Sequence, residues 1–139
     1  MTATRQLPAA ALILILTTAC ATPHSSYTGA DTTPWREPPS YTYTLVSHTQ
    51  VLYGTFHLSV RNHRATSTTP LPDHIPAAQL PTIGTLLARL RAARHDNADT
   101  ADVEYAPDGR PTRITLDADR NAIDDEEAYV ITEFRTASE

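Results

Sequence analysis

One short stretch sets the fold class. Between Thr82 and His95 the apolar residues fall at Ile83, Leu86, Leu87 and Leu90, the i, i+3, i+4, i+7 spacing of one stripe on an amphipathic helix. Thr82 is placed to cap its N-terminus, because a threonine hydroxyl accepts from an orphan backbone N–H. Arg89, Arg91, Arg94 and His95 crowd its second half, where the helix dipole favours cations, and Asp96 and Asn97 end it. On both sides of this helix the period drops to two. Tyr41, Tyr43 and Leu45 alternate with Thr42, Thr44 and Val46; Phe56, Leu58 and Val60 alternate with Thr55, His57, Ser59 and Arg61. These are two half-buried strands, joined as a hairpin around Thr49 and Gln50.

Pro70, Pro72, Pro76 and Pro81 then prevent regular structure, although Arg64 to Thr68 can run extended. After the helix, Val103 and Tyr105 alternate with Asp102 and Glu104, and Thr112, Ile114 and Leu116 with Arg113, Thr115 and Asp117. Pro107-Asp108-Gly109 between them is turn chemistry. Pro111 cannot donate to a ladder, so it starts its strand or lies at an edge. Ala128 to Phe134 closes as a last strand. The expected order is β-β-α-β-β-β: an α+β domain, a small antiparallel sheet with one helix packed on one face. No internal repeat is present.

The first 39 residues do not share this patterning. Arg5, the apolar run Ala9 to Leu16, and small residues before Cys20 have the layout of a secretory signal too short to span a bilayer. A cysteine after such residues resembles the lipobox of bacterial lipoproteins, in which that thiol is acylated and becomes the mature N-terminus. Thr17 stands where that pattern usually has leucine, and Leu16 lies one residue further out. The resemblance implies a signal peptide over 1–19, a lipidated Cys20 followed by a Thr/Pro/Ser-rich tether to residue 39, and a domain over 40–136. Acyl chains on Cys20, such as palmitate, make the membrane a partner on the extracytoplasmic face of the cell membrane. Trp35, the tether's one large apolar residue, is expected on the domain edge.

Charge narrows the function classes. The chain is acidic, at −5, and 13 of its 16 carboxylates lie from Asp96 onward with only four arginines beside them. That sign is wrong for nucleic acid, which needs clustered cations. There is no lysine, so neither a lysine Schiff base nor a lysine phosphate loop can form. With one cysteine, no intrachain disulfide and no cysteine-based zinc site can form.

Three groups of residues bear on chemistry. Asp117, Asp119 and Asn121 stand at positions one, three and five of a calcium loop, but position six is Ala122 where glycine is needed and position twelve is Ala128 where glutamate is needed. A different closure, through Asp124 or Asp125, would complete a calcium site. The same residues also make an ordinary solvated turn through side-chain hydrogen bonds. Of the six histidines (His24, His48, His57, His63, His74, His95), the first hairpin brings His48, His57 and His63 within range of a shared zinc or copper ion, against the plainer reading of exposed polar positions. Asp124, Asp125, Glu126 and Glu127 offer carboxylates for acid–base work but no apolar pocket evident in the sequence to raise a pKa. There is no serine elbow or glycine-rich phosphate loop.

The blocks Tyr41–Ser47, Gly54–Asn62, Leu80–Arg94, Ala101–Asp117 and Asn121–Ile131, taken in order and spacing, resemble a family of small bacterial exported proteins, domain-of-unknown-function 6174. Members typically carry a lipoprotein signal, which the resemblance extends to Cys20. Similar sequences usually have a cysteine where this chain has His48, and an Asp-Gly turn where it has Asn62-His63. The family has no assigned activity, so the resemblance supplies no catalytic residue. The expected function is a non-catalytic, membrane-anchored binding or interaction module with an unknown protein or cell-envelope partner and no cofactor. The alternatives are a calcium-binding surface protein using Asp117, Asp119, Asn121, Asp124 and Asp125, and a hydrolase using the same acidic loop.

Overall fold

The computed structural model describes residues 35–137. Strands β1 (Ser40–His48), β2 (Tyr53–Arg61) and β3 (Arg64–Ser67) precede a 3-10 turn at Ala77–Gln79 and helix α1 (Ile83–His95). Strands β4 (Thr100–Tyr105), β5 (Pro111–Asp117) and β6 (Glu127–Thr136) follow. All six strands form one antiparallel sheet in the order β3-β2-β1-β6-β5-β4. The sheet therefore consists of two three-stranded meanders, joined where the first strand pairs with the last. The α+β class is as expected, but the strand count is not. Arg64–Ser67 is a sixth strand, so the order is β-β-β-α-β-β-β. The reason is the Asn62-His63 pair. Both residues have positive φ, 49° and 60°, the hallmark of the two-residue turn whose twist suits a hairpin. That turn usually has glycine second; here His63 holds the left-handed conformation, and Arg61 pairs opposite Arg64.

The helix stripe and the strand alternation meet on one face of the sheet. Ile83, Leu86, Leu87 and Leu90 are all buried. They cover Leu45, Phe56, Leu58, Val60, Ile114, Leu116, Tyr129 and Ile131, which share one cluster with Tyr41 and Tyr43. Burying a leucine or isoleucine of this kind is worth roughly 1.5–3 kcal/mol, so the four helix residues account for most of what holds α1 in place. Thr82 caps the helix as expected, its hydroxyl oxygen accepting from the Thr85 N–H at 3.1 Å.

The other face is rich in threonine. It also bears a β-bulge: β6 spends two residues, Glu133 and Phe134, opposite the single residue Tyr43. Glu133 takes φ 51°. Consequently Phe134 turns in against Tyr41, at a ring separation of 5.3 Å, while the Glu133 carboxylate reaches Thr44.

The register gives the domain two poles. At one, Tyr41 pairs with both Val60 and Thr136, so the chain enters and leaves there. Trp35 packs edge-on against Phe134 at 6.1 Å, and the Arg110 guanidinium lies over the Phe134 ring, 4.8 Å from its centroid. Trp35 thus sits on the domain edge as expected, and residues 35–39, read from the sequence as the end of the tether, lie against the domain. Glu37 secures them. One of its carboxylate oxygens accepts from the Tyr41 hydroxyl and from the Gly84 N–H, and Tyr41 in turn accepts from the Ile83 N–H. Residues 1–34, with Cys20, His24 and the expected signal, fall outside the described residues. At the opposite pole His48 pairs with Tyr53 and with Ala128.

Candidate functional site

The pole away from the chain ends carries a cleft of about 510 Å³. Four segments build it: the β1–β2 loop (Thr49 to Leu52), Gln79 and Pro81 ahead of the helix, Arg89 on α1, and the β5–β6 loop from Ala118 through Asp124, Asp125, Glu126 and Glu127 to Tyr129. The two loops are tied together by the Gln50 side chain, whose amide donates to the Asp124 carbonyl at 2.8 Å. Asp124 has φ 75°, a left-handed turn that asparagine and aspartate accept more readily than other residues.

One wall is a fixed polar network. The Tyr129 hydroxyl donates to Glu127 Oε2 at 2.6 Å and accepts from Arg89 Nη1 at 2.8 Å; Arg89 also lies 3.4 Å from Glu127 Oε2. Glu127 and Tyr129 stand two apart on β6 and so share a sheet face, and α1 brings Arg89 to them. Burial pushes the Tyr129 hydroxyl well above its usual pKa, and the bond to Glu127 pushes the same way while Arg89 opposes it. The hydroxyl therefore stays protonated and serves as a donor. Beside this network, Ser47 is wholly buried on the strand next to Tyr129 and its hydroxyl has no hydrogen-bond partner.

The other wall is acidic. Asp119 folds the loop locally, its carboxylate accepting from the Asn121 backbone and side-chain amides at 2.9 and 3.0 Å. Asp125 Oδ2 accepts from the Asp119 N–H at 2.9 Å. Arg120 turns away to form a forked pair with Asp99, at 3.2 Å for both side-chain bonds, which holds the Asp99 carboxyl below its usual range. Asp117 shifts the opposite way: desolvation first, then repulsion from Asp125, Glu126 and Asp99, raises its carboxyl. Buried oxygens of Asp117 and Asp125 are left without partners. The loop thus holds more negative charge than its own arginine neutralises.

The residues expected from the sequence to hold calcium are placed as follows. Asp119, Asn121, Asp124 and Asp125 lie in this loop and Asp117 ends the strand that leads into it, but Asp119 and Asn121 bond to each other and Asp125 to the Asp119 backbone. Among the described residues no group of three or more histidine, cysteine, aspartate or glutamate side chains is arranged to hold a metal ion. The hairpin histidines do not converge either. His48 lies opposite Tyr53 and His57 opposite Thr44, four ladder positions or about 13 Å along the strand, and His63 lies in the turn beyond. Each has a local contact: His48 stands edge-on to Tyr53, His57 bonds Thr44, and His63 Nδ1 lies 3.3 Å from Glu37. Thr44 donates its one hydroxyl proton to Glu133, so it can only accept from His57, which fixes the proton of a neutral His57 on Nδ1.

The sequence named the carboxylates of this pole but not the network. Arg89 reads as one of several cations in the helix and Tyr129 as one strand residue. The Glu-x-Tyr spacing in a strand is a signal for a shared face; nothing in the sequence marks the helix residue that joins them. Large apolar side chains left exposed also gather here: Val51 at 58 %, Tyr53 at 71 % and Ile123 at 87 %. Among the described residues no helix is long and apolar enough to cross a membrane.

A model of a family of unknown function, DUF6174, matches residues 33–136. No curated protein and no solved structure matches the chain.

Proposed function

The chain belongs to DUF6174, a family of unknown function, and we propose that it is an extracytoplasmic binding module, lipid-anchored through Cys20, that engages its partner at the loop pole. The observation that carries this reading is the coincidence of three things at one place. The cleft, the fixed Arg89–Tyr129–Glu127 wall and the exposed Val51, Tyr53 and Ile123 all lie at the pole away from the chain ends. Exposed apolar groups rimmed by polar ones are what a docking surface presents. A chain tethered from residue 35 would hold this pole off the membrane by the length of the sheet, about 25 Å for an eight-residue run of strand.

Two measurements test the reading. A photo-crosslinking residue at Val51 of the full chain in its own membranes should give a discrete adduct that the same residue at Arg113, on the threonine-rich face, does not. Absence of any Val51-dependent adduct would remove the pole as the binding site. Incorporation of labelled palmitate that is lost in Cys20→Ala tests the anchor, and equal labelling of both chains would refute it.

A further inference from the structure

The charge distribution at the loop pole says what kind of partner it fits; this inference rests on the binding reading above and deepens it. Val51 and Ile123, on the two loops that flank the cleft, leave apolar surface open. The walls between them are not neutral. Arg89, the one arginine lining the cleft among the described residues, is already engaged by Glu127 and Tyr129. Arg120, in the same acidic loop, is turned outward onto Asp99. Asp124, Asp125 and Glu126 line the cleft, and among the described residues no arginine pairs with them; desolvation first, then repulsion from Asp125 and Glu126, raises the neighbouring Asp117 carboxyl. A ligand that enters therefore meets uncompensated negative charge next to exposed aliphatic side chains.

We infer that the cleft takes an extended segment of a partner protein in which arginine or lysine side chains alternate with apolar ones. Cations would meet Asp124, Asp125 and Glu126, and the apolar side chains would cover Val51 and Ile123. Size favours a peptide segment over a free amine. A small polyamine could fill the acidic wall but would leave the exposed Val51 and Ile123 side chains bare. Charge complementarity of this kind sets specificity and association rate, so binding should weaken with salt.

The test uses the full chain in detergent or nanodiscs and a fluorescein-labelled ten-residue peptide of alternating arginine and leucine, followed by anisotropy. The double variant Asp124→Asn, Glu126→Gln should weaken binding by at least about tenfold. The equally charged change Asp102→Asn, Glu104→Gln, on β4 and outside the cleft, should leave it unchanged. Val51→Ser with Ile123→Ser should weaken the arginine–leucine peptide but not a peptide of arginine and serine. Equal losses in the two charge variants would overturn the inference, as would equal binding of a glutamate–leucine peptide. Competition by spermine at the peptide's own affinity would assign the site to a small amine and overturn the choice of a protein segment. If a Val51 crosslink forms with a partner whose bound segment is neutral or acidic, the pole remains a binding site and this inference alone fails.

Discussion

The sharpest prediction concerns the clamp between residues before the first strand and the helix. The Glu37 side chain is only 14 % exposed. It accepts from Tyr41 and from the Gly84 N–H in the first turn of α1. A Cβ on Gly84 would collide first with the Glu37 carboxylate, and all three of its nearest heavy atoms belong to that side chain. Glu37→Ala leaves one orphan helix N–H and the Tyr41 hydroxyl proton without acceptors. Hydrogen bonds to a charged group are worth roughly 1.5–3 kcal/mol each, so the loss is about 3 kcal/mol at the lower end. For a domain of this size that lowers Tm by at least about 12 °C. Gly84→Ala alone drives Glu37 off the helix but gains up to about 1 kcal/mol of helix propensity, a net loss of about 2 kcal/mol. In the Glu37→Ala background the collision is gone, and the same Gly84→Ala change should stabilise by up to about 1 kcal/mol. The sign of one substitution thus depends on the presence of the other, a coupling of about 3 kcal/mol that urea melts of the four proteins read directly. If Gly84→Ala shifts the parent and the Glu37→Ala protein equally and in the same direction, the clamp is not what orders this end. The pH dependence gives a second check. Burial raises the Glu37 carboxyl, but hydrogen bonds from Tyr41, Gly84, Thr82 and His63 outweigh it and leave it lowered from 4.5. Its contribution is therefore complete above pH 4.5 and is lost as pH falls through the lower folded value, and Glu37→Ala should flatten that acid limb.

Three further outcomes follow from the same geometry. Tyr41, Tyr43 and Tyr129 are all held protonated by burial, with Glu37 or Glu127 adding to it, so their stabilisation is intact below pH 10 and is lost as pH rises above it; in a variant with phenylalanine at Tyr27, Tyr53 and Tyr105, tyrosinate absorbance should appear together with loss of near-ultraviolet circular dichroism, and its appearance in that variant while still folded would contradict the packing. His63→Gly should raise stability by about 0.5–1 kcal/mol in a denaturant melt, since glycine relieves the left-handed strain of the hairpin turn at the cost of one weak, exposed contact to Glu37; a drop would show that this contact outweighs the backbone term. Calorimetric titration with millimolar calcium should give no saturable heat, because Asp119, Asn121 and Asp125 are turned onto one another and onto backbone; a saturable heat lost in Asp117→Asn would restore the calcium reading.

Elements with strong local periodicity were legible in the sequence. The stripe at Ile83, Leu86, Leu87 and Leu90 lies where the helix packs, and the alternation of Tyr41 to Leu45 and Phe56 to Val60 marks the covered face. What was hidden had non-local causes. Arg64–Ser67 is too short and polar to read as a strand; it is one because the Asn62-His63 turn folds it onto β2. The bulge at Glu133 breaks the period-two pattern at one residue, and only its partners Thr44 and Tyr41 on another strand show which way each side chain goes. Glu37 reads as tether because the partner that fixes it to the domain, the Gly84 N–H at the start of α1, lies 47 residues away. The loop's carboxylates were legible as a group; that they face Arg89 and Tyr129 across a cleft depends on the path of the helix.

The seam between the first and last strands has a consequence for how the fold is reached. Tyr41 and Thr136 are neighbours in the sheet but about 95 residues apart along the chain, and each three-stranded half can form only its own local hairpins until that gap closes. Any process that delivers the chain from its N-terminus, whether synthesis or passage through a pore, must release residues 127–136 before β1 acquires its second neighbour. Until then the two halves remain unlatched, and the cleft, which needs Leu52 from one half and Tyr129 from the other, does not exist. The cleft is thus completed only by the last strand to arrive.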